Sequence, residues 1–349
     1  MKVAVLVSGG VDSSVALQLL KNEGHDITVF YLKIWLEDEL SYLGDCPWQQ
    51  DLAYVTEVCD QLNVPLEVVS LQQEYKNEVV AYTIEQVKAG RTPNPDILCN
   101  QRIKFGLFLD YLGDKFDKIA SGHYAQVRKN GDKVELFQSP DCIKDQTYFL
   151  SHLSQQQLQK VMFPIGHLQK SQVRQLAHEY NLPNKDRKDS QGICFLGKFK
   201  FADFVRHHLG VRPGNLVEQE TGKIMGMHNG FWFYTIGQRQ GIRLGGGPWY
   251  VVAKDVQLNI VYISRHYYAE DKPRNVFTLD SIHWLSGVDP LITECQVKLR
   301  HGPHKYHCLI KRTNDGITIT LSEHDQGIAS GQYAVFYDSD VCLGSGVIY

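Results

Sequence analysis

MKVAVLVSGGVDSSVALQLLKNEG, residues 1–24, reads as strand, loop and helix in immediate succession. Lys2 to Val7 is a continuous apolar run of strand length. Beyond a glycine turn, Val15, Ala16, Leu19 and Leu20 recur at helical spacing until Gly24 stops the pattern. The loop between them, Ser8 to Ser14, lies where unpaired backbone N–H groups and a helix dipole attract an anion. Gly9 and Gly10 let the backbone approach a phosphate closely, and Ser8, Ser13 and Ser14 offer hydroxyl donors. No lysine follows the glycines, so this is not a Walker A loop. The bland alternative is a tight turn with a serine cap.

The same alternation continues down the chain. Ile27 to Leu32 repeats the strand signal, Asp51 to Leu62 the helix signal, and Leu66 to Val69 a strand after Pro65. Helical stretches at Gln73 to Lys88 and Gln101 to Leu112 precede a strand at Lys118 to Ser121. This order predicts a doubly wound parallel sheet with helices on both faces. Asn130-Gly131 between two alternating runs predicts a hairpin, and Lys170 to Tyr180 predicts a helix broken by the charged stretch Asn184 to Asp189. After about Phe204 glycines and aromatics rise and the strands shorten (Trp249 to Ala253, Ile260 to Ile263, Val297 to Arg300, Ile317 to Leu321, Tyr333 to Tyr337), which predicts small β-rich domains.

A length of 349 residues predicts two or three domains, each able to bury a core. The eight cysteines are scattered, no pair closer than the 13 positions of Cys46/Cys59 and Cys295/Cys308. With an N-terminus that runs straight into a strand, this is the pattern of a cytoplasmic protein with reduced thiols. No apolar run approaches membrane-spanning length, so no membrane partner is expected. A net charge of -3 disfavours non-specific nucleic-acid binding and leaves room for a local positive groove.

Two cysteines stand in settings that suggest chemistry. Cys99 lies near the end of GRTPNPDILCN, where Pro93 and Pro95 stiffen the chain and present Asn94 and Asp96 on an extended loop. A helix starting near Gln101 would place its N-terminus beside Cys99 and favour thiolate over thiol. Cys194, in KDSQGICF 95 positions later, follows a charged run and a glycine, as an exposed segment does. For each, an inert thiol is the alternative. His301, His304, His307 and Cys308 invite a zinc reading, but their spacing is not a finger and strand alternation would split neighbours between faces, so no metal is assigned. Convergence of Cys46, Cys99 and Cys194 on an iron–sulfur cluster is not demanded by their spacing.

The loop SGGVDS resembles the pyrophosphate loop of ATP pyrophosphatases. Taken with GRTPNPDILCN, IKFG, SGHYA, KDQTYFL, KDSQGICFLG and YTIGQRQGI in this order, the chain resembles the bacterial tRNA 2-thiouridylase family over nearly its whole length. That resemblance implies adenylylation of the C2 oxygen of the wobble uridine (position 34) of tRNA with ATP and magnesium, then sulfur transfer from a cysteine persulfide. It implies that Cys194 bears the persulfide, that Cys99 frees or relays the sulfur and ends in a disulfide with Cys194, and that Asp96 is the acid/base residue. Nucleotide binding would fall to Leu6, Val7, Ser8, Gly9, Gly10, Val11, Asp12, Ser13, Leu32 and Gly122, with Asp12 a candidate for magnesium. Asn94, Pro95 and Asp96 would meet a flipped uracil. His123, Lys144, Asp145, Gln146, Arg300, His301 and Gln332 would contact tRNA. The implied architecture is an ATP pyrophosphatase domain over 1–204, a small central domain over 205–272 and a C-terminal β-barrel over 273–349. The implied protein is a monomer served by a sulfur-donor protein or a cysteine desulfurase relay.

Two stretches, SRHYYAEDKPRN and RHGPHKYHC, depart from the family pattern, and Trp232, Tyr234, Gln238, Arg239 and Arg243 suit either base stacking or a core. Two rival classes keep part of these features. An ATP pyrophosphatase of small substrates needs the loop but neither Cys99 nor Cys194, and a non-catalytic RNA-binding protein has no use for pyrophosphate release.

Overall fold

The computed structural model describes residues 1–34, 48–189, 200–267, 274–314, 316–325 and 327–349. Its first sheet contains β1 (Lys2–Leu6), β2 (Asp26–Lys33), β3 (Leu66–Ser70), β4 (Lys118–Ser121) and β7 (Val161–Met162). All pair in parallel, in the order β3-β2-β1-β4-β7. The apolar run of β1 is explained by what covers it. Val3, Val5 and Val7 face α1 (Val11–Asn22) and α2 (Trp48–Leu62) through Leu17, Leu20, Val55 and Val58. Ala4 and Leu6 face the opposite layer, with Phe30, Tyr75, Val79, Ile103 and Phe105. A strand buried on both sides has no polar positions, and each fully buried valine or leucine contributes about 1.5–3 kcal/mol.

That second layer is built from α3 (72–88) and α4 (95–112), each a run of α-helix with a π-helical stretch inside it. Helix α4 corrects the expectation of a start near Gln101. It begins at Pro95, with Asn94 in extended conformation as its cap, accepting hydrogen bonds from the N–H groups of Asp96 (3.2 Å) and Ile97 (3.3 Å). Proline at the first helical position loses no hydrogen bond and is already set to helical φ. Asp96 therefore sits in the first helical turn rather than on an extended loop, and Cys99 lies one turn inside the helix.

The hairpin β5 (Ala125–Asn130) and β6 (Lys133–Gln138) forms as expected, but it does not stay with the first sheet. Strand β6 pairs with β18 (Val341–Val347) and adds two strands to the antiparallel C-terminal sheet. That sheet runs β12 (Val276–Leu279), β16 (Gly316–Leu321), β15 (Tyr306–Thr313), β14 (Glu294–Lys298), β17 (Tyr333–Asp338), β18, β6, β5, with β13 (His283–Trp284) also paired to β18. A bridge between Leu279 and Ile348 brings its first strand back to the end of β18, curling the sheet around Phe277, Trp284, Val297, Ile310, Ile319 and Phe336. A separate four-stranded sheet is formed by β10 (Tyr250–Asp255), β11 (Ile260–Ser264), β8 (Gly214–Glu218) and β9 (Ile224–His228). Here Phe231 is core, packed with Trp249, Val251 and Val261, whereas Arg239 and Arg243 are exposed. The aromatic and basic residues of this stretch thus divide between packing and surface.

The N-terminal and C-terminal sheets are joined by buried polar contacts. His152 Nδ1 lies 2.9 Å from Ser345 Oγ on β18, and its ring is 4.5 Å from that of His283. Burial, reinforced by His283, lowers the His152 pKa to about 4 from the usual 6.5. Between these values the unfolded chain holds a proton that the folded one does not. Stability is therefore full above pH 6.5 and lost as pH falls toward 4, by about 2 kcal/mol between pH 7 and pH 5. Urea unfolding at the two pH values checks this, and a His152→Gln variant is expected to flatten the difference. No helix among the described residues is long and apolar enough to cross a membrane.

Candidate active site

Strand β1 lies at the point where the order of the parallel sheet reverses, with β2 on one side and β4 on the other. In open α/β sheets the ligand crevice lies at such a reversal point, beyond the carboxyl ends of the strands. Ser8, Gly9 and Gly10 leave β1 into this crevice, and α1 starts with Gly10 as a cap that offers no side-chain acceptor. The first N–H groups of α1 are consequently left for a ligand. Gly9 has φ +78°, and a Cβ on it would lie 2.6 Å from the Asp51 carbonyl oxygen. Gly122, just past β4, is equally constrained: a Cβ there would come within 2.6 Å of the Ser13 nitrogen. A nucleotide phosphate fits this glycine-lined, uncapped helix start.

The loop hydroxyls do something other than the sequence suggests. Ser13 Oγ and Ser14 Oγ donate to the Gly10 carbonyl at 3.0 and 3.1 Å, and Ser13 Oγ also accepts from the Ser8 N–H at 3.2 Å. They shape the loop from inside, which leaves the backbone as its phosphate-facing surface. Further bracing comes from the charged run after α7 (Lys170–Glu179). Asn184 Nδ2 donates to the Gly9 carbonyl (2.8 Å) and to Ser14 Oγ (2.9 Å). Arg187 donates to the Gly9 carbonyl (3.0 Å) and pairs with Asp51. Neither residue carries a motif signal. Their proximity to the loop follows from a fold contact 170 or more positions away.

Asp12, in the first turn of α1, accepts from Tyr124 Oη at 2.9 Å and from Lys170 Nζ at 2.6 Å. Lys170 also reaches Asp189 at 2.8 Å, and Asp189 is held in addition by Lys144 at 2.7 Å and by Arg174. Burial alone would raise the Asp189 carboxyl, but the hydrogen bonds from Lys144 and Lys170 outweigh it and hold the group well below the usual carboxylate range. Burial, with the charge of Asp12 behind it, pushes the Tyr124 hydroxyl far up, so Tyr124 acts only as a neutral donor to Asp12.

His123 connects this loop to the helix of Cys99. One residue beyond Gly122, its Nδ1 is 2.8 Å from Ser121 Oγ, and its ring lies 5.9 Å from Phe105 of α4 and 5.8 Å from Phe163. Burial, with the nearby Lys104 ammonium second, holds its pKa well below the ordinary value, so the ring is neutral. Cys99 is 1 % exposed and Asp96 is half-buried, three residues earlier on the same helix. The helix is fixed by Asn100, whose Nδ2 donates to the Phe149 carbonyl at 3.1 Å and whose Oδ1 accepts from Lys104 at 3.2 Å. Leu32 lies near the carboxyl end of β2, partly buried against the same layer.

The remaining expected contact residues cluster between the sheets. Lys144 is paired with Asp189, and Gln146 exchanges bonds with the Tyr124 backbone through its N–H (2.9 Å) and its Oε1 (3.0 Å). Asp145 is 2 % exposed and accepts from Gln138 Nε2, the Ser139 N–H, Thr147 Oγ1 and, at 2.9 Å, Lys298 Nζ of β14. Its carboxylate is closed to a surface contact; it secures the segment that carries its neighbours. Arg300, beyond the end of β14, pairs with Asp325, and His301 stacks on Phe149 at 4.9 Å with Nε2 3.1 Å from the Asp145 carbonyl. Both line a cleft of about 400 Å³ with His304, Tyr306 and His324. Gln332 follows a loop whose Ser330 carbonyl accepts from the Thr92 N–H at 2.7 Å, beside the segment leading into α4. In β15, His307 is exposed and Cys308 buried, so the strand does split these neighbours between its faces. Cys194 and Cys46 lie outside the described residues.

Comparison with known proteins covers nearly the whole chain. Residues 1–198 match the family described as the tRNA methyl transferase HUP domain. Residues 202–265 match the tRNA methyl transferase PRC-barrel domain and 274–348 the aminomethyltransferase beta-barrel domain. A protein of Parabacteroides distasonis named tRNA-specific 2-thiouridylase MnmA is 48 % identical over 100 % of this chain and 99 % of its own length. One of the same name from Porphyromonas gingivalis is 45 % identical over 100 % of this chain and 99 % of its own length. With the glycine-lined loop at the sheet's reversal point and a cysteine-bearing helix beside it, the chain belongs to the tRNA-specific 2-thiouridylase family.

Proposed function

We propose that this protein is an ATP-dependent tRNA-uridine 2-sulfurtransferase that converts the wobble uridine of its tRNA substrates to 2-thiouridine, with AMP and pyrophosphate as the other products. ATP supplies the activation that turns the C2 oxygen of uracil into a leaving group. The observation that carries this reading is the junction at Gly122 and His123. It touches the start of α1 on one side and, through Phe105, the helix of Asp96 and Cys99 on the other. A phosphate site and a thiol helix sharing one wall suit an adenylylated base attacked by sulfur; methyl transfer, which the family description names, uses neither.

Within this reading Leu6 to Ser13, Leu32 and Gly122 hold the nucleotide, and Asp12 with the ATP phosphates holds magnesium. Asn94, Pro95 and Asp96 receive the flipped uracil, and Asp96 manages its proton. Cys194 bears the persulfide. Attack of the Cys99 thiolate on the Cys194 sulfur breaks the persulfide S–S bond, forms the Cys99–Cys194 disulfide and releases the terminal sulfur to C2, from which AMP departs. A thiol reductant resets the disulfide. His123, Lys144, Gln146, Arg300, His301 and Gln332 face the tRNA, and Asp145 positions Lys144 and Gln146 from beneath. The ATP pyrophosphatase domain spans 1–204, the central domain 205–272 and the C-terminal barrel 273–349. The enzyme acts as a cytoplasmic monomer fed by a sulfur-donor protein or a cysteine desulfurase relay.

Pyrophosphate release from magnesium-ATP is expected to depend on unmodified tRNA and to fall by about 10²–10³ in an Asp12→Ala variant, the scale of losing one charged contact at a phosphoryl centre. Release at the wild-type rate from that variant would remove Asp12 from the nucleotide site, and no release from wild type would refute the adenylylation step.

A further inference from the structure

We propose that Lys170 is the cation of the pyrophosphate-binding site, delivered to the loop from α7 because the loop itself carries no lysine. The inference rests on the adenylylating function above and names a residue that the loop motif does not contain. Lys170 is the first residue of α7, and its backbone N–H is fixed by Asp141 Oδ2 at 2.9 Å. Its side chain is 15 % exposed and crosses to the nucleotide loop, ending 2.6 Å from Asp12 and 2.8 Å from Asp189.

Neither carboxylate depends on Lys170 alone. Asp12 keeps its hydrogen bond from Tyr124, and Asp189 keeps both Lys144 and Arg174. Movement of the ammonium toward an incoming phosphate therefore leaves no carboxylate unpartnered, and of Lys144, Lys170, Arg174 and Arg187 only Lys170 bonds Asp12 in the first turn of α1. Lys144 has Asp189 as its ion-pair partner and Arg174 is tied to the carbonyls of Lys185 and Arg187 as well. Arg187 is committed to Asp51 and the Gly9 carbonyl. On this account Lys170 contacts the β,γ-phosphates and stabilises the negative charge that grows on pyrophosphate as the bond to the α-phosphorus breaks. Asp12 and Asp189 park the ammonium at the correct place in the nucleotide-free protein.

Calorimetric titration of the full chain with inorganic pyrophosphate and, separately, with AMP tests the assignment in wild type, Lys170→Met and Lys170→Arg, alongside tRNA-dependent pyrophosphate release. Lys170→Met is expected to weaken pyrophosphate binding at least ten-fold and to lower the release rate by about 10²–10³. AMP affinity should stay within about two-fold, and Lys170→Arg should recover part of both losses, since its charge is kept in a different geometry. Equal loss of AMP and pyrophosphate affinity in Lys170→Met would show a structural tie and overturn the inference. So would pyrophosphate binding and release at wild-type levels. If wild type itself releases no pyrophosphate, the functional reading falls and this assignment with it; an active wild type with an equally active Lys170→Met removes only the assignment.

Discussion

Replacing Cys99 with serine is expected to lower 2-thiouridine formation by at least about 10³-fold, because an alcohol neither ionises near neutral pH nor attacks a persulfide. The variant should fold. Cys99 is 1 % exposed within α4, and a serine hydroxyl there can donate to a backbone carbonyl one turn earlier, so the exchange costs at most about 1–2 kcal/mol. Thermal unfolding reports the stability, and nucleoside analysis of treated tRNA reports the activity. Pyrophosphate release should persist in this variant, since adenylylation precedes any use of the thiol. Thiolation at the wild-type rate would make Cys99 an inert core residue, the very role its burial alone suggests.

The second large effect concerns stability. Lys298 and Asp145 are 1 % and 2 % exposed and form an ion pair at 2.9 Å between the C-terminal sheet and the segment before α5 (Thr147–Leu150). Substitution Lys298→Met leaves the Asp145 carboxylate buried without its cation, which is expected to cost about 3–5 kcal/mol. Adding Asp145→Asn should recover part of the loss, because an amide still accepts from Thr147 and the Ser139 N–H without an uncompensated charge. Urea denaturation of the wild type, the single variants and the double variant measures the coupling. A Lys298→Met protein within about 1 kcal/mol of wild type would mean that water or the Tyr337 hydroxyl region takes over from the ammonium, and the pair would not be the clamp described here.

The parallel sheet is legible because its central strands are covered on both faces, so Val3 to Val7 reads as an unbroken apolar run and Ile27 to Leu32 as one interrupted only by Thr28. Helix α4 departs from the expected start near Gln101 for an equally physical reason. Pro95 holds its predecessor Asn94 extended, as the sequence implies, and its second property, a preset helical φ at the first helical position, starts the helix there. The hairpin 125–138 announced itself through Asn130-Gly131, but its partner strand is some 200 residues away, and no local pattern names a partner. Within the site, the glycines and serines of the loop carry a motif, whereas Asn184, Arg187 and Lys170 do not. They reach the loop through tertiary contacts and looked, in sequence, like a charged break and a helix start. By sequence the serines offer hydroxyls to a phosphate, while three-dimensional packing turns two of them onto the Gly10 carbonyl. Cys194 rests on its setting in the sequence and on the resemblance, and lies outside the described residues.

The account rests on sulfur entering tRNA through Cys194. Nucleoside mass spectrometry of unmodified tRNA, incubated with magnesium-ATP, a cysteine desulfurase system and either wild type or a Cys194→Ser variant, tests it most directly. The account predicts 2-thiouridine with wild type and none with Cys194→Ser, while pyrophosphate release continues in both. Absence of 2-thiouridine from a folded wild type with verified sulfur loading, or equal amounts from the two proteins, would contradict it.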